Sequence, residues 1–351
     1  MHYRRLFNKI HYCNQEIFNK KLNWYFDIKN ILYQNQSKKK IISDTDQLIA
    51  EYSSLKGFNL KKKKISFKTK QILFKDYLKN QDLKLKKKIY YSINYLKKKK
   101  IHNYFSHFLI QGSLATCDYI ENWSDFDSVG VIKDKILRDK KKLLRLRSIL
   151  KSFYNKILVF SKFQHHGIIL FSEYDIRNFL PGYLPIEALK GKSLSVFKPT
   201  IFNVNKIIKN KKNLSKEILL NRKNYLKKGI KNNYYDHQVF GNKNLSIPLK
   251  ENEKTLKQLF VHIGFMLNVP VLFLDATGNS THKKSSFKKF YQAINNLKII
   301  NFIKKHEYLR SNWNFFYKNN NYLNKKLIKY LGKKYFENCL YTINYCLKKL
   351  N

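Results

Sequence analysis

The amino-acid sequence predicts an α/β (α+β) fold, with a small mixed sheet held between helical segments. Two observations carry this expectation. Strand-length apolar runs fall in the middle of the chain, at Phe108–Ile132 (strand, short helix, strand) and at Ile168–Phe171. The segments on either side repeat their apolar residues at helical spacing. Second, Lys and Arg supply 71 of 351 residues, yet they are absent from Ile101–Ile132, Phe163–Ile176 and Gln258–His282. Random scatter would leave the first gap at a given place about once in a thousand, and protein interiors exclude unpaired charge. These windows therefore read as core, the first with an acidic rim of Asp118, Glu121, Asp125 and Asp127. The expected organisation is a helical N-terminal extension (1–100), a sheet-bearing core (101–200) and a C-terminal helical domain (201–351).

Composition narrows the class. The formal charge is +48, from 71 basic against 23 acidic residues. Clustered basic residues would point to nucleic acid. Here the lysines are spread over nearly every segment, and Lys, Asn, Ile, Tyr and Phe are abundant together, which favours codon bias. Nucleic acid is therefore the less favoured partner. No segment shows the ~18 uninterrupted apolar residues of a membrane span, and the start MHYRRLFNKIHYCNQ lacks the apolar core of a signal peptide. Cys13, Cys117, Cys339 and Cys346 form no zinc spacing. A reduced cytoplasmic location with no membrane partner is expected. The oligomeric state is not encoded in these features.

Taken in order, the first hundred residues read as mostly helical. A helix is expected over Ile42–Leu55, starting at Ser43-Asp44, and one or two more over Phe74–Leu96; the runs Lys61–Lys64, Lys86–Lys88 and Lys97–Lys100 read as solvated faces. Phe108 to Gly112-Ser113 is an apolar strand ending where Gly lets the backbone turn sharply. Ser113 stands where an N-cap belongs, so its hydroxyl and the next amides can hold phosphate oxygens. Asp125 and Asp127 share one face of the following strand, because side chains alternate with period two. Two carboxylates opposite a phosphate cradle suit Mg²⁺ on a nucleoside triphosphate. Leu137–Ile157 follows as a basic amphipathic helix.

This pattern, an apolar strand ending in Gly112-Ser113 and then Asp125-x-Asp127 between apolar residues, resembles the nucleotidyltransferase superfamily with the DNA polymerase β-like fold. The resemblance covers about Ile101–Ile176. It implies an enzyme that moves a nucleoside monophosphate from an NTP, ATP first among them, to a hydroxyl or phosphate acceptor and releases pyrophosphate. Asp125 and Asp127 would be catalytic metal ligands for Mg²⁺, and Gly112 and Ser113 would bind nucleotide. A small-molecule acceptor is favoured. An RNA- or tRNA-end nucleotidyltransferase and a catalytically inactive nucleotide-binding module are the alternatives.

The family places a third carboxylate early on the strand after the basic helix. This chain has Gln164, His165, His166 and Gly167 there. Three explanations stay open: His166 stands in as base or ligand, Glu173 or Asp175 supplies the carboxylate, or catalysis is lost. Asn178–Ala188 reads as a loop, and Asn203–Asn233 as a polar helix. Lys254–Leu267 is an amphipathic helix. A helix over Phe287–Ile300, capped by serine, would make Lys283, Lys284 and Ser285 an anion site, which the resemblance links to the triphosphate.

Overall fold

A computed structural model describes residues 2–55, 63–68, 70–71, 82–161, 163–164, 167–179, 192–197, 201–206, 211–232, 251–279, 283–319 and 333–351 of the chain. It is an α/β structure that divides into two compact units, Met1–Ile208 and Lys209–Asn351. The first hundred residues thus belong to the same unit as the sheet.

Short polar side chains set the helix starts in the first unit. After α1 (His2–Tyr25), Asp27 caps α2 (Ile28–Leu32), Ser37 caps α3 (Lys38–Ser54) and Asp82 caps α4 (Leu83–Lys98), each accepting a backbone N–H of the first turn. The helix expected to begin at Ser43-Asp44 therefore starts earlier, because Ser37 already supplies the cap. Asp139 does the same for α6 (Lys140–Ile157), the crossover between parallel strands β4 (Ser128–Ile132) and β5 (Ile169–Ser172). The sheet is mixed, in the order β2-β6-β3-β4-β5, with β2 at Lys70–Gln71, β3 at Phe105–Ile110 and β6 at Lys192–Ser195.

Four strands escaped the sequence reading: β2, β6, β1 (Lys63–Lys68) and β7 (Ile201–Lys206), the last occupying the start of the helix expected over Asn203–Asn233. β1 and β7 form an antiparallel ribbon pairing Ile65 with Val204 and Phe67 with Phe202. Lysine runs and Asn-rich composition masked a period-two alternation in both. Phe202 and Val204 pack with Leu109, Val129, Val131 and Phe171, so the ribbon covers one face of the sheet. The other face, including Phe105, Phe108, Ile110 and Leu170, shares a core with residues of α1, α3, α4 and α6.

Strand β5 closes one side of the sheet, and α1 occupies its open edge. Asn23 donates from Nδ2 to the Leu170 carbonyl (2.9 Å) and accepts the Leu170 N–H at Oδ1 (2.8 Å), as a neighbouring strand would. One turn earlier, Asn19 donates to the same carbonyl and to Asp175 (3.2 Å each). Gln15 reaches Asp175 Oδ1 (3.3 Å) and the Asn178 carbonyl (2.7 Å). Asp175 is fully buried and closes a capping box with Ser172 on the short helix α7 (Glu173–Arg177). Burial raises its pKa, and the surrounding donors partly offset that rise.

Every described element of the second unit is helical: α8 (Lys211–Asn232), α9 (Glu251–Leu267), α10 (Val269–Thr277), α11 (Lys283–Ala293), α12 (Leu297–Ser311), α13 (Trp313–Lys318) and α14 (Lys333–Lys349). Leu256–Thr277 is long and apolar enough by composition to cross a membrane, with mean hydropathy 1.8, but 56% of it is buried inside the protein. The apolar run is interrupted at Asn268, between α9 and α10. The single helix expected over Phe287–Ile300 is two: the first ends at Ala293, and Asn296 caps the next.

His306 ties α12 to α14. Its Nδ1 faces the Phe302 carbonyl (2.7 Å) and its Nε2 faces the Tyr335 hydroxyl (2.9 Å) in a fully buried setting. Neutral imidazole satisfies both contacts, and burial lowers its pKa to about 4. The folded pKa lies below the unfolded value, so the contribution is present above about pH 6.5 and is lost as pH falls toward 4. Replacing His306 with Gln should remove this slope. The wild-type advantage over H306Q in chemical denaturation should shrink by roughly 3 kcal/mol between about pH 7 and pH 4. A pH-independent difference would show that the imidazole is not held neutral.

Candidate functional site

The site is built where β3 ends. The β3/β4 ladder runs to Ile110 opposite Ser128, and the Gln111 N–H donates to the Asp127 carbonyl (2.9 Å), carrying the pairing one step further. The chain then turns at Gly112, with φ +65°, into the short helix α5 (Gly112–Thr116). A Cβ at residue 112 would lie 2.8 Å from Asp127 Cγ and closer still to Oδ2. The position thus demands glycine twice, for its left-handed backbone and for the carboxylate lying against it. Gly112 and Asp127, 15 positions apart in sequence, meet directly.

Ser113 is not the N-cap. Gln111 takes that place with extended backbone and without a side-chain cap bond, so Ser113 is the second residue of α5. Ser113 is half-buried, and its carbonyl accepts the N–H groups of Cys117 and Asp118. The loop back to the aspartates is compact. Ser124 Oγ accepts the Ile120 N–H (2.9 Å), and Tyr119 donates to the Phe160 carbonyl (2.8 Å).

Asp125 and Asp127 precede β4 instead of lying within it. The expected alternation nevertheless holds: Phe126 is fully buried against Phe153 and Phe160, while both aspartates are half-buried. Gln164 fixes this segment. Its Oε1 accepts the Phe126 N–H (2.7 Å), and its Nε2 approaches the Phe126 carbonyl (3.4 Å). Sequence reading noted Gln164 only as a departure from a carboxylate. A buried side-chain amide clamping one residue's backbone leaves no periodic signal.

Two candidates for a third carboxylate are removed. β4 and β5 are parallel, with Val129 opposite Ile169 and Ile132 opposite Ser172. Asp127 precedes one strand and Glu173 follows the other, so they sit at opposite ends, roughly 20 Å apart at the usual rise per residue. Glu173 instead accepts the Asp134 N–H (3.0 Å). Asp175 is spent on Ser172, Asn19 and Gln15. His165 and His166 lie outside the described residues. Gly167 is buried, and a Cβ there would lie 2.6 Å from the Tyr154 ring.

The donor set is therefore a pair of carboxylates. Among the described residues no group of three or more His, Cys, Asp or Glu could hold a metal. Two half-exposed oxygen donors fit a hard divalent ion such as Mg²⁺, which keeps waters and takes its remaining ligands from phosphate. At Lys283, Lys284 and Ser285 helix α11 begins earlier than the expected Phe287, so the exposed Ser285 is a first-turn residue and not the cap of the expected anion site. Ser286 is buried in the same turn. The side chains of Lys283 and Lys284 lie outside the described residues.

The Gly112–Asp127 contact can be tested in a double-mutant cycle. Gly112→Ala should cost about 2–4 kcal/mol in the wild type, combining left-handed strain and overpacking. In an Asp127→Gly background, which removes every Asp127 side-chain atom from residue 112, denaturant titration should show mainly the conformational part, about 1–2 kcal/mol. Equal costs in both backgrounds would show that the carboxylate does not press on residue 112. Comparisons with protein-family models, curated proteins and solved structures find no match, so residues 108–132 themselves carry the functional reading.

Proposed function

We propose that the chain is a Mg²⁺-dependent nucleotidyltransferase that moves a nucleoside monophosphate from an NTP, ATP first, to a hydroxyl or phosphate acceptor. The observation that carries this reading is the seat of Asp127 against Gly112, with Asp125 on the same side of the extended segment. One carboxylate of the pair thereby sits against a turn that favours glycine. In this reading the core is of the nucleotidyltransferase type and the enzyme is cytoplasmic. The acceptor is a small molecule, and a polynucleotide end is the alternative.

The acceptor oxygen attacks the α-phosphorus in line, the bond to the bridging oxygen breaks, and pyrophosphate leaves with that electron pair. Asp125 and Asp127 would hold the cation, and the Ser113 hydroxyl would grip the β/γ end. A bound Mg²⁺ would supply charge neutralisation for the phosphoryl oxygens. The acceptor proton passes to a base. With Glu173 and Asp175 committed elsewhere, His166 is the residue proposed for that task. The protein's contribution is mostly positioning.

Pyrophosphate release across a panel of NTPs and acceptors tests the reading. Asp125→Asn and Asp127→Asn should each remove Mg²⁺-dependent turnover while leaving the melting temperature near wild type; near wild-type rates in either would sink the two-carboxylate assignment. Ser113→Ala should raise KM for NTP by the equivalent of about 1–2 kcal/mol. His166→Ala should lower kcat by ~10²–10⁴. Nucleotide binding without any pyrophosphate release would favour the inactive binding module.

A further inference from the structure

We propose that the groove between α4 and α6 binds single-stranded nucleic acid. The groove is an open cavity of about 710 Å³, away from Gly112 and the aspartates in its lining. Lys87, Lys88, Lys98 and Lys156 line it, together with Tyr90 and Tyr91, and no carboxylate lines it among the described residues. This inference concerns binding and does not rest on nucleotidyl transfer.

Net charge alone would not single out this place, because lysines cover the whole chain. The tyrosines do. Helix α4 buries Leu85, Ile89, Ile93 and Leu96 on one face. Tyr90 and Tyr91 lie off that face and stay 57% and 56% exposed, so core packing does not account for them. Lys156, arriving from α6, sits 4.1 Å above the Tyr91 ring and donates to its hydroxyl (2.6 Å), and is 5.0 Å from the Tyr95 ring. A cation from one helix is thus held over ring faces of the other. Ring faces interleaved with ammonium groups match a strand with unpaired bases between phosphates. A duplex hides its base faces, and a lipid headgroup offers none. At one end of α4, Lys84 and Lys88 pair with Glu121, in the loop between Gly112 and Asp125. The groove therefore adjoins the segment that carries the candidate site.

The test uses the full chain and a fluorescein-labelled oligouridylate, with anisotropy read at physiological salt. Tyr90→Ala/Tyr91→Ala keeps every charge and should raise Kd by about 30-fold or more, because two stacking platforms are lost. Tyr90→Phe/Tyr91→Phe keeps the rings and should retain binding. Lys38→Gln/Lys39→Gln removes two exposed charges from α3 and should change Kd by less than about threefold if the groove is the site. Thermal melts of all three should match the wild type. The proposal is overturned if the double-alanine variant loses no more affinity than the α3 control. It is equally overturned if duplex RNA or phosphatidylserine vesicles compete as well as the unlabelled single strand.

Discussion

The Asp127 carboxylate occupies the space where residue 112 would otherwise project its side chain. That contact fixes several features at once. It requires glycine at the end of β3, forces the turn into α5, and orients the start of β4 relative to the end of β3. Phe126, clamped by Gln164 and sunk between Phe153 and Phe160, keeps the flanking aspartates on the opposite side. A half-buried acid is stable there because it retains access to solvent or a cation, whereas an apolar residue would fill the turn and close it.

Polar side chains govern the rest of the first unit in a similar way. The buried Asp175 and the half-buried Asp125 and Asp127 differ in their surroundings. Asp175 is enclosed by donors from α1 and its own helix cap, a structural arrangement with no room for a ligand. Asp125 and Asp127 sit at the other end of the parallel pair and are half-buried. Position along the parallel strands, and not residue type, separates the half-buried Asp125 and Asp127 from the fully buried Asp175.

Legibility in the sequence followed the physics of each signal. The Lys- and Arg-free windows located both cores, because burial excludes charge irrespective of local structure. Gly112 and the Asp-x-Asp alternation were readable because each is a local backbone requirement. Ser113 was misplaced by two positions, since the strand ends at Ile110 and Gln111 already takes the N-cap place of the short helix. β1 and β7 were missed because their alternation is short and composed of Lys and Asn, which score as helix or loop. The partners of Asp175 lie more than 150 residues away on α1, and nothing local announces such a pairing.

Helix α1 has a consequence for the sheet it borders. Asn23 meets both backbone groups of Leu170, and Asn19 shares its carbonyl, so the edge of β5 is sealed by amide side chains in place of a backbone. Such a surrogate strand has no unpaired edge of its own and ends the sheet without offering a further template. Displacing α1 would expose the β5 edge beside the apolar residues Ile169 and Phe171. The N-terminal helix therefore acts as a guard against strand addition, and whatever competes for its asparagines competes for the right to extend the sheet.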